Sequence, residues 1–240
     1  MKVVSIYLRI YADCLKKAVQ AIGKNLWTLL LPVGLAVALT FASTIIGNLG
    51  LGLVGGILMG LVLIALYSSY LYFVAGLVMS GRVHISELKG SFGRLFWPVM
   101  GVSFVVWIAN LLVSLLAGST AQGAAIQTLF ALVVALAVFI NPTPEVIYDR
   151  GSHSGMATLQ KSFAFTQDNW IEWYLPNLLL GGLGYLVFRY MGALGYGGLV
   201  VLALVAGSFL HLVMVFRGHL YRALDGSSHR QRMFKYRNAE

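Results

Sequence analysis

A chain of 240 residues that is 59% hydrophobic and only 10% charged, with a mean hydropathy of +0.82, is not an ordinary soluble protein. Its net charge of +9 does not point to nucleic acid, because the basic residues sit beside apolar runs and form no separate soluble unit. Cys14 is the only cysteine, which excludes an intrachain disulfide and any multi-cysteine metal site.

In residues 2 to 24, Val3, Ile6, Tyr7, Ile10, Leu15, Val19 and Ile22 recur at helical spacing, while Lys2, Arg9, Asp13, Lys16, Lys17 and Lys24 fill the remaining arc. This pattern predicts an amphipathic helix lying in the membrane interface. Arg9 interrupts the apolar stretch and no small-residue cleavage site follows, so the segment does not read as a cleaved signal peptide. From about Leu26 to Asn48 no charge occurs, enough to cross the roughly 30 Å hydrocarbon layer at about 1.5 Å per residue. A glycine-rich, uncharged connector follows, then a second apolar run from about Leu53 to Ser80.

Residues 81 to 94 carry Arg82, His84, Glu87, Lys89 and Arg94, and a third span is predicted from about Leu95 to Ala117. The fourth, about Ala124 to Ile140, ends at Asn141-Pro142-Thr143-Pro144-Glu145, where two prolines remove backbone donors and bar a regular helix. A charged stretch to residue 172 includes a short amphipathic helix. The fifth span is then about Trp173 to Arg189 and the sixth about Leu199 to Arg217. The chain therefore reads as one all-α membrane domain: an interfacial helix over 1–25, six spans within 26–217 and a basic tail over 218–240.

All the Lys and Arg residues except Arg189 fall in alternate gaps between these runs. That is the positive-inside pattern of a multi-pass protein of the bacterial inner membrane with both termini cytoplasmic, and it places Arg189 outside.

Leu15, Lys17, Asn25, Leu31 and Pro32 recur 144 residues later as Leu159, Lys161, Asn169, Leu175 and Pro176. A shortened copy lies between them at Leu88, Lys89, Ser91, Phe92, Trp97 and Pro98. Either the chain is three units of roughly 72 residues, each an interfacial helix and a hairpin of two spans, or Trp, Lys and Pro simply accumulate at membrane boundaries. The Leu15-to-Pro32 stretch, together with Pro144-Glu145-Val146-Ile147-Tyr148 and Leu159-Gln160-Lys161-Ser162-Phe163, resembles a broad group of bacterial six-span membrane proteins. That group includes the membrane domain carried by some glycerophosphodiester phosphodiesterases. The resemblance implies the six-span fold; the hydrolase domain of those enzymes has no counterpart in these residues, so no activity transfers.

Glu145 reads either as a boundary carboxylate, solvated or paired with Arg150, or as part of an ion or head-group site at the broken helix. His211, inside the last span, either bonds to a polar group on a neighbouring helix or serves as a proton or metal site. With Asn141 they form the candidate polar membrane site. Asn110, Gln127 and Asn177 are candidates for interhelical bonds. Lys16, Lys17, Lys24, Lys89, Arg94, Arg217 and Arg222 are candidate contacts to anionic lipid head groups. Asp149, Ser152, His153 and Ser154 are too close in one loop to assemble a catalytic triad. No catalytic, cofactor or metal residue is expected, and the chain does not read as an enzyme. The expected function is an integral membrane scaffold or accessory subunit that contacts anionic lipid and either other membrane proteins or copies of itself. The alternative is a small permease, channel or lipid-handling protein.

Overall fold

The computed structural model describes residues 2–119, 133–150, 154–191, 195–227, 231, 232 and 234. The regular elements among them are helices: α1 (Lys2–Gly23), α2 (Leu31–Asn48), α3 (Gly52–Ser80), α4 (Leu88–Arg94), α5 (Phe96–Ser119), α6 (133–139), α7 (Thr143–Arg150), α8 (Gly155–Met191) and α9 (Gly195–Leu224). A 3-10 turn, Leu26–Leu30, leads into α2.

Four segments are long and apolar enough to cross a membrane: Leu26–Asn48, Gly52–Ser80, Phe96–Leu115 and Val201–Leu224. They match the first, second, third and sixth predicted spans. Much of the predicted fourth span lies outside the described residues, which begin again with α6. The predicted fifth span is the second half of α8, where Pro176, Asn177 and Arg189 dilute the apolar character, and it is not among the four.

The helix predicted at the N-terminus is present, but its inward face differs from the expected arc. Ile6, Ile10, Cys14, Ala18, Ala21 and Ile22 are buried, a stripe repeating every four residues, whereas Leu15 and Val19 are exposed. The small residues Cys14 and Ala18 let α1 lie close against the C-terminal part of α9. Leu15 and Val19 point away from the protein, beside Lys16.

The packed core sits at one end of the bundle. It joins Ile10 and Cys14 of α1, Leu71, Val74 and Leu77 of α3, Val146 and Ile147 of α7, and Val215, Leu220 and Leu224 of α9. By contrast, α2 contains no buried residue, and the first half of α3 buries only Gly55. The uncovered side chains there, such as Val37, Phe41, Leu53 and Ile57, are those a hydrocarbon layer would accept.

Two corners share one construction. Asn25 (φ −140°, ψ 50°) and Asn169 (φ −134°, ψ 23°) both leave helical geometry, and each Nδ2 donates to the carbonyl four residues earlier, Ala21 O at 2.7 Å and Phe165 O at 3.1 Å. Each Oδ1 accepts a distant donor: Val83 N at 3.1 Å for Asn25, Arg232 Nη1 at 2.7 Å for Asn169. Asn25 Nδ2 also donates to Gly81 O at 3.0 Å, clamping the turn after α3, where Gly81 takes φ 67° and ends the helix. Leu95, between α4 and α5, leaves helical geometry too (φ −109°, ψ 7°), without an amide side chain.

Where α5 meets α8 the backbones nearly touch. A Cβ on Gly155 would fall inside 3.0 Å of the Gly101 carbonyl and Val102 N, so the crossing needs glycine at 155.

Candidate functional site

The site is built around the helix break. Prolines at 142 and 144 supply no N–H, so the carbonyls of Val138 and Ile140 lose the donors that a continuous helix would give them. Backbone donors three residues on replace them in part, Asn141 N to Val138 O at 3.1 Å and Thr143 N to Ile140 O at 3.0 Å. An unsatisfied carbonyl is costly in an apolar layer, and all four carbonyls from 138 to 141 also receive side-chain donors. The Tyr174 hydroxyl donates to Val138 O, Thr166 Oγ1 to Phe139 O at 2.9 Å, Thr143 Oγ1 to Ile140 O at 2.5 Å, and Arg217 Nη2 to Asn141 O at 2.9 Å. Three elements, α7, α8 and α9, thus close the end of α6.

Arg217 continues from that carbonyl into a fork-to-fork ion pair. Its Nε donates to Glu145 Oε1 at 2.9 Å and its Nη2 to Glu145 Oε2 at 3.1 Å. Glu145 is fully buried in the first turn of α7, where the helix dipole favours a carboxylate, and the Arg217 side chain is 14% exposed. The guanidinium lies 5.0 Å from the ring centroid of Trp173, whose Nε1 donates to Asn141 Oδ1 at 3.1 Å. Trp173 in turn packs edge-on against Phe165.

Asn141 and Glu145 are therefore brought together, with Arg217 as their centre. Arg217, expected at a head group, instead neutralises Glu145. The Arg150 side chain, the partner considered for Glu145 from the sequence, lies outside the described residues. His211 is fully buried six residues before Arg217, about 9 Å along the helix axis, and makes a separate contact. Its Nδ1 lies 3.2 Å from the Tyr70 hydroxyl, and its Nε2 has no partner among the described residues.

Lys16, Lys17, Lys24, Arg94 and Arg222 are exposed, while the Lys89 side chain lies outside the described residues. Arg94 sits over the Tyr72 ring at 5.4 Å, and Arg222 Nε lies 3.5 Å from Asp149 Oδ1. Asn177 donates to Trp173 O within its own helix, Asn110 lines an apolar cleft beside Ile140 and Phe163, and Gln127 is outside the described residues. The working partners that sequence reasoning missed are Trp173 and Arg217. A tryptophan at a predicted span boundary and a basic residue at a span end both read as interface anchors, and nothing local distinguishes them.

A second cluster pins α1 to α8. The Tyr7 hydroxyl donates to Glu172 Oε1 at 2.8 Å and the Tyr11 hydroxyl to Glu172 O at 3.1 Å. Burial first and the nearby Glu172 charge second push the Tyr11 phenol up to about 12, and both burial and the Glu172 hydrogen bond raise Tyr7. Burial likewise pushes the Cys14 thiol up to about 11, outweighing the opposing influence of Lys17. Because these groups fold in their protonated forms, their contribution is complete below their ordinary values of 9 for the thiol and 10 for the phenol, and is lost as pH rises toward 11 and 12. Thermal unfolding in detergent micelles should show a midpoint that falls between pH 9 and 12; a midpoint flat across that window contradicts the arrangement.

Comparison with protein-family models, curated proteins and solved structures finds no match for this chain. Its class therefore rests on the fold itself: a helical protein with four helices long and apolar enough to cross a membrane, closed at one end by a buried ion pair.

Proposed function

We propose that the protein is an integral membrane scaffold or accessory subunit. The observation that carries this reading is that the polar side chains among the spans close on one another: Glu145 with Arg217, Asn141 with Trp173, and Tyr70 with His211. A solute path needs polar groups converging on a cavity. Here Asn141, Asn177 and Arg217, where they border the cleft between α8 and α9, are already bonded to protein groups, and the clefts between spans are walled mainly by apolar side chains. One of about 670 Å³ between α2 and α9 is walled by Val33, Val37, Phe41 and Leu210, with Ala36, Ala203 and Gly207 as the small residues on which membrane helices pack closely. A helix of another membrane protein, or of a second copy, fits that chemistry.

Photocrosslinking in native membranes tests it. A benzoylphenylalanine at Val37 should give a discrete protein adduct, and one at Trp107 on α5 should not. Adducts to lipid alone at Val37 would sink the reading. So would solute flux into liposomes above empty vesicles that is abolished by Glu145→Gln and His211→Ala, which would favour a permease.

Within this reading the chain has six spans, the second half of α8 and the segment containing α6 joining the other four. It sits in a bacterial inner membrane with both termini cytoplasmic. The matching corners at Asn25 and Asn169, 144 residues apart, support three units, with Leu95 as the corner of the shortened one. Since Cys14 is buried, Arg189→Cys gives a nearly silent background for labelling. A membrane-impermeant maleimide added to intact spheroplasts should reach Cys at 189; labelling only after lysis rejects this topology.

A further inference from the structure

The basic surface is not uniform. At the junction of α1, the end of α9 and the tail lies a recess of about 370 Å³ lined by Lys17, His219, Arg222, Ser227, Gln231 and Arg232. That volume is at the small end of ligand pockets. Two features separate it from the scattered surface lysines. Among the described residues no carboxylate lines it, whereas the neighbouring recess that shares Arg232 contains Asp168 and Asp225. Two buried nitrogens in its lining residues, His219 Nε2 and Arg232 Nε, also have no hydrogen-bond partner among the described residues.

Arg232 is 5% exposed, and its other bonds run to neutral acceptors, Asn169 Oδ1 at 2.7 Å and Leu224 O at 3.2 Å. Its hydrogen-bond acceptors are neutral and the nearby carboxylates, Asp168 and Asp225, line the adjoining recess, so on this side an oxyanion would supply the countercharge that the described lining lacks. Arg222 is tethered by Asp149 at 3.5 Å and by Val78 O at 3.3 Å, so it flanks the recess with part of its charge already countered. Lys17 is exposed on α1 and closes the other side.

We propose that this recess binds a phosphate group, with Lys17, His219 and Arg232 as its principal donors. The assignment rests on the reading that the basic face meets anionic head groups, and it narrows that face to one site. A phosphate chemistry admits two sources, the head group of an anionic phospholipid and free phosphate.

Native mass spectrometry of the purified full-length chain in detergent, with phosphatidic acid and phosphatidylcholine of equal chain length in competition, tests it. One phosphatidic acid should be retained about tenfold or more over phosphatidylcholine, as expected when one or two charge-assisted hydrogen bonds are made. Lys17→Gln combined with His219→Phe should bring the two lipids to within about twofold of each other. Lys16→Gln with Lys24→Gln, which removes more charge from the same face, should leave the preference intact. A circular dichroism melt confirms that each variant is folded. Displacement of the lipid by millimolar inorganic phosphate would identify free phosphate as the source, and failure to displace it would identify the lipid; both outcomes support the site. Equal loss in the two double variants, or none in Lys17→Gln with His219→Phe, overturns the recess while leaving the basic face as an anionic-lipid surface. No preference for phosphatidic acid at all overturns both.

Discussion

Glu145→Ala should cost the folded protein about 3–5 kcal/mol, the range for removing one member of a buried ion pair. The cost arises on the arginine side: Arg217 would keep its bond to Asn141 O but lose both carboxylate contacts while 14% exposed. Removing the charge on both sides tests the mechanism. Glu145→Met with Arg217→Met should recover much of the loss, because two apolar side chains of similar length need no partners, although Asn141 O then loses its donor. Unfolding in a detergent–denaturant series reads both values. If the single and double variants were equally destabilised, the ion pair would not be the source of the effect. Glu145→Gln should fall between, since an amide retains one acceptor for the guanidinium.

Trp173→Ala should have an effect of similar size, about 3–5 kcal/mol, by a different route. Trp173 is fully buried, donates to Asn141 Oδ1, packs edge-on with Phe165 and supplies the face over which the Arg217 guanidinium rests. Truncation opens a cavity beneath the helix break and leaves the Asn141 side chain without its donor. Trp173→Phe separates the terms, keeping most of the packing and losing only the N–H; it should cost about 1–2 kcal/mol. Because Trp173 and Arg217 touch, their substitutions should not add, and a double-mutant cycle with Arg217→Met should return a coupling of about 1 kcal/mol or more. A loss for Trp173→Phe as large as for Trp173→Ala would mean that the hydrogen bond, not the packing, dominates.

Both predictions concern residues whose partners lie far away in the chain, and that is where the reach of the sequence stops. The Pro142 and Pro144 break was legible because proline's missing N–H is a local property. The consequence, carbonyls 138 to 141 capped by Thr143, Thr166, Tyr174 and Arg217, required knowing that α8 and α9 cross there. Glu145 and Asn141 are legible as polar groups in an apolar setting, yet their partner Arg217 reads as a head-group contact, since a basic residue at a span end ordinarily belongs there. The recess at Lys17, His219 and Arg232 was invisible in the same way, drawing on residues separated by about 200 positions.

The helical class, the four long apolar helices and the presence of α1 follow from the sequence alone, because hydropathy and 3.6-residue spacing are properties of consecutive residues. Which face of α1 turns inward was decided by tertiary packing. Apolar side chains occupied more than one side of the helix, and the stripe through Cys14 and Ala18 was chosen because small residues allow close approach to α9. The corners at Asn25 and Asn169 show the same division. A repeated asparagine could be seen in the sequence, but an amide has several ways to satisfy itself, and only the folded chain brings Val83 to one and Arg232 to the other.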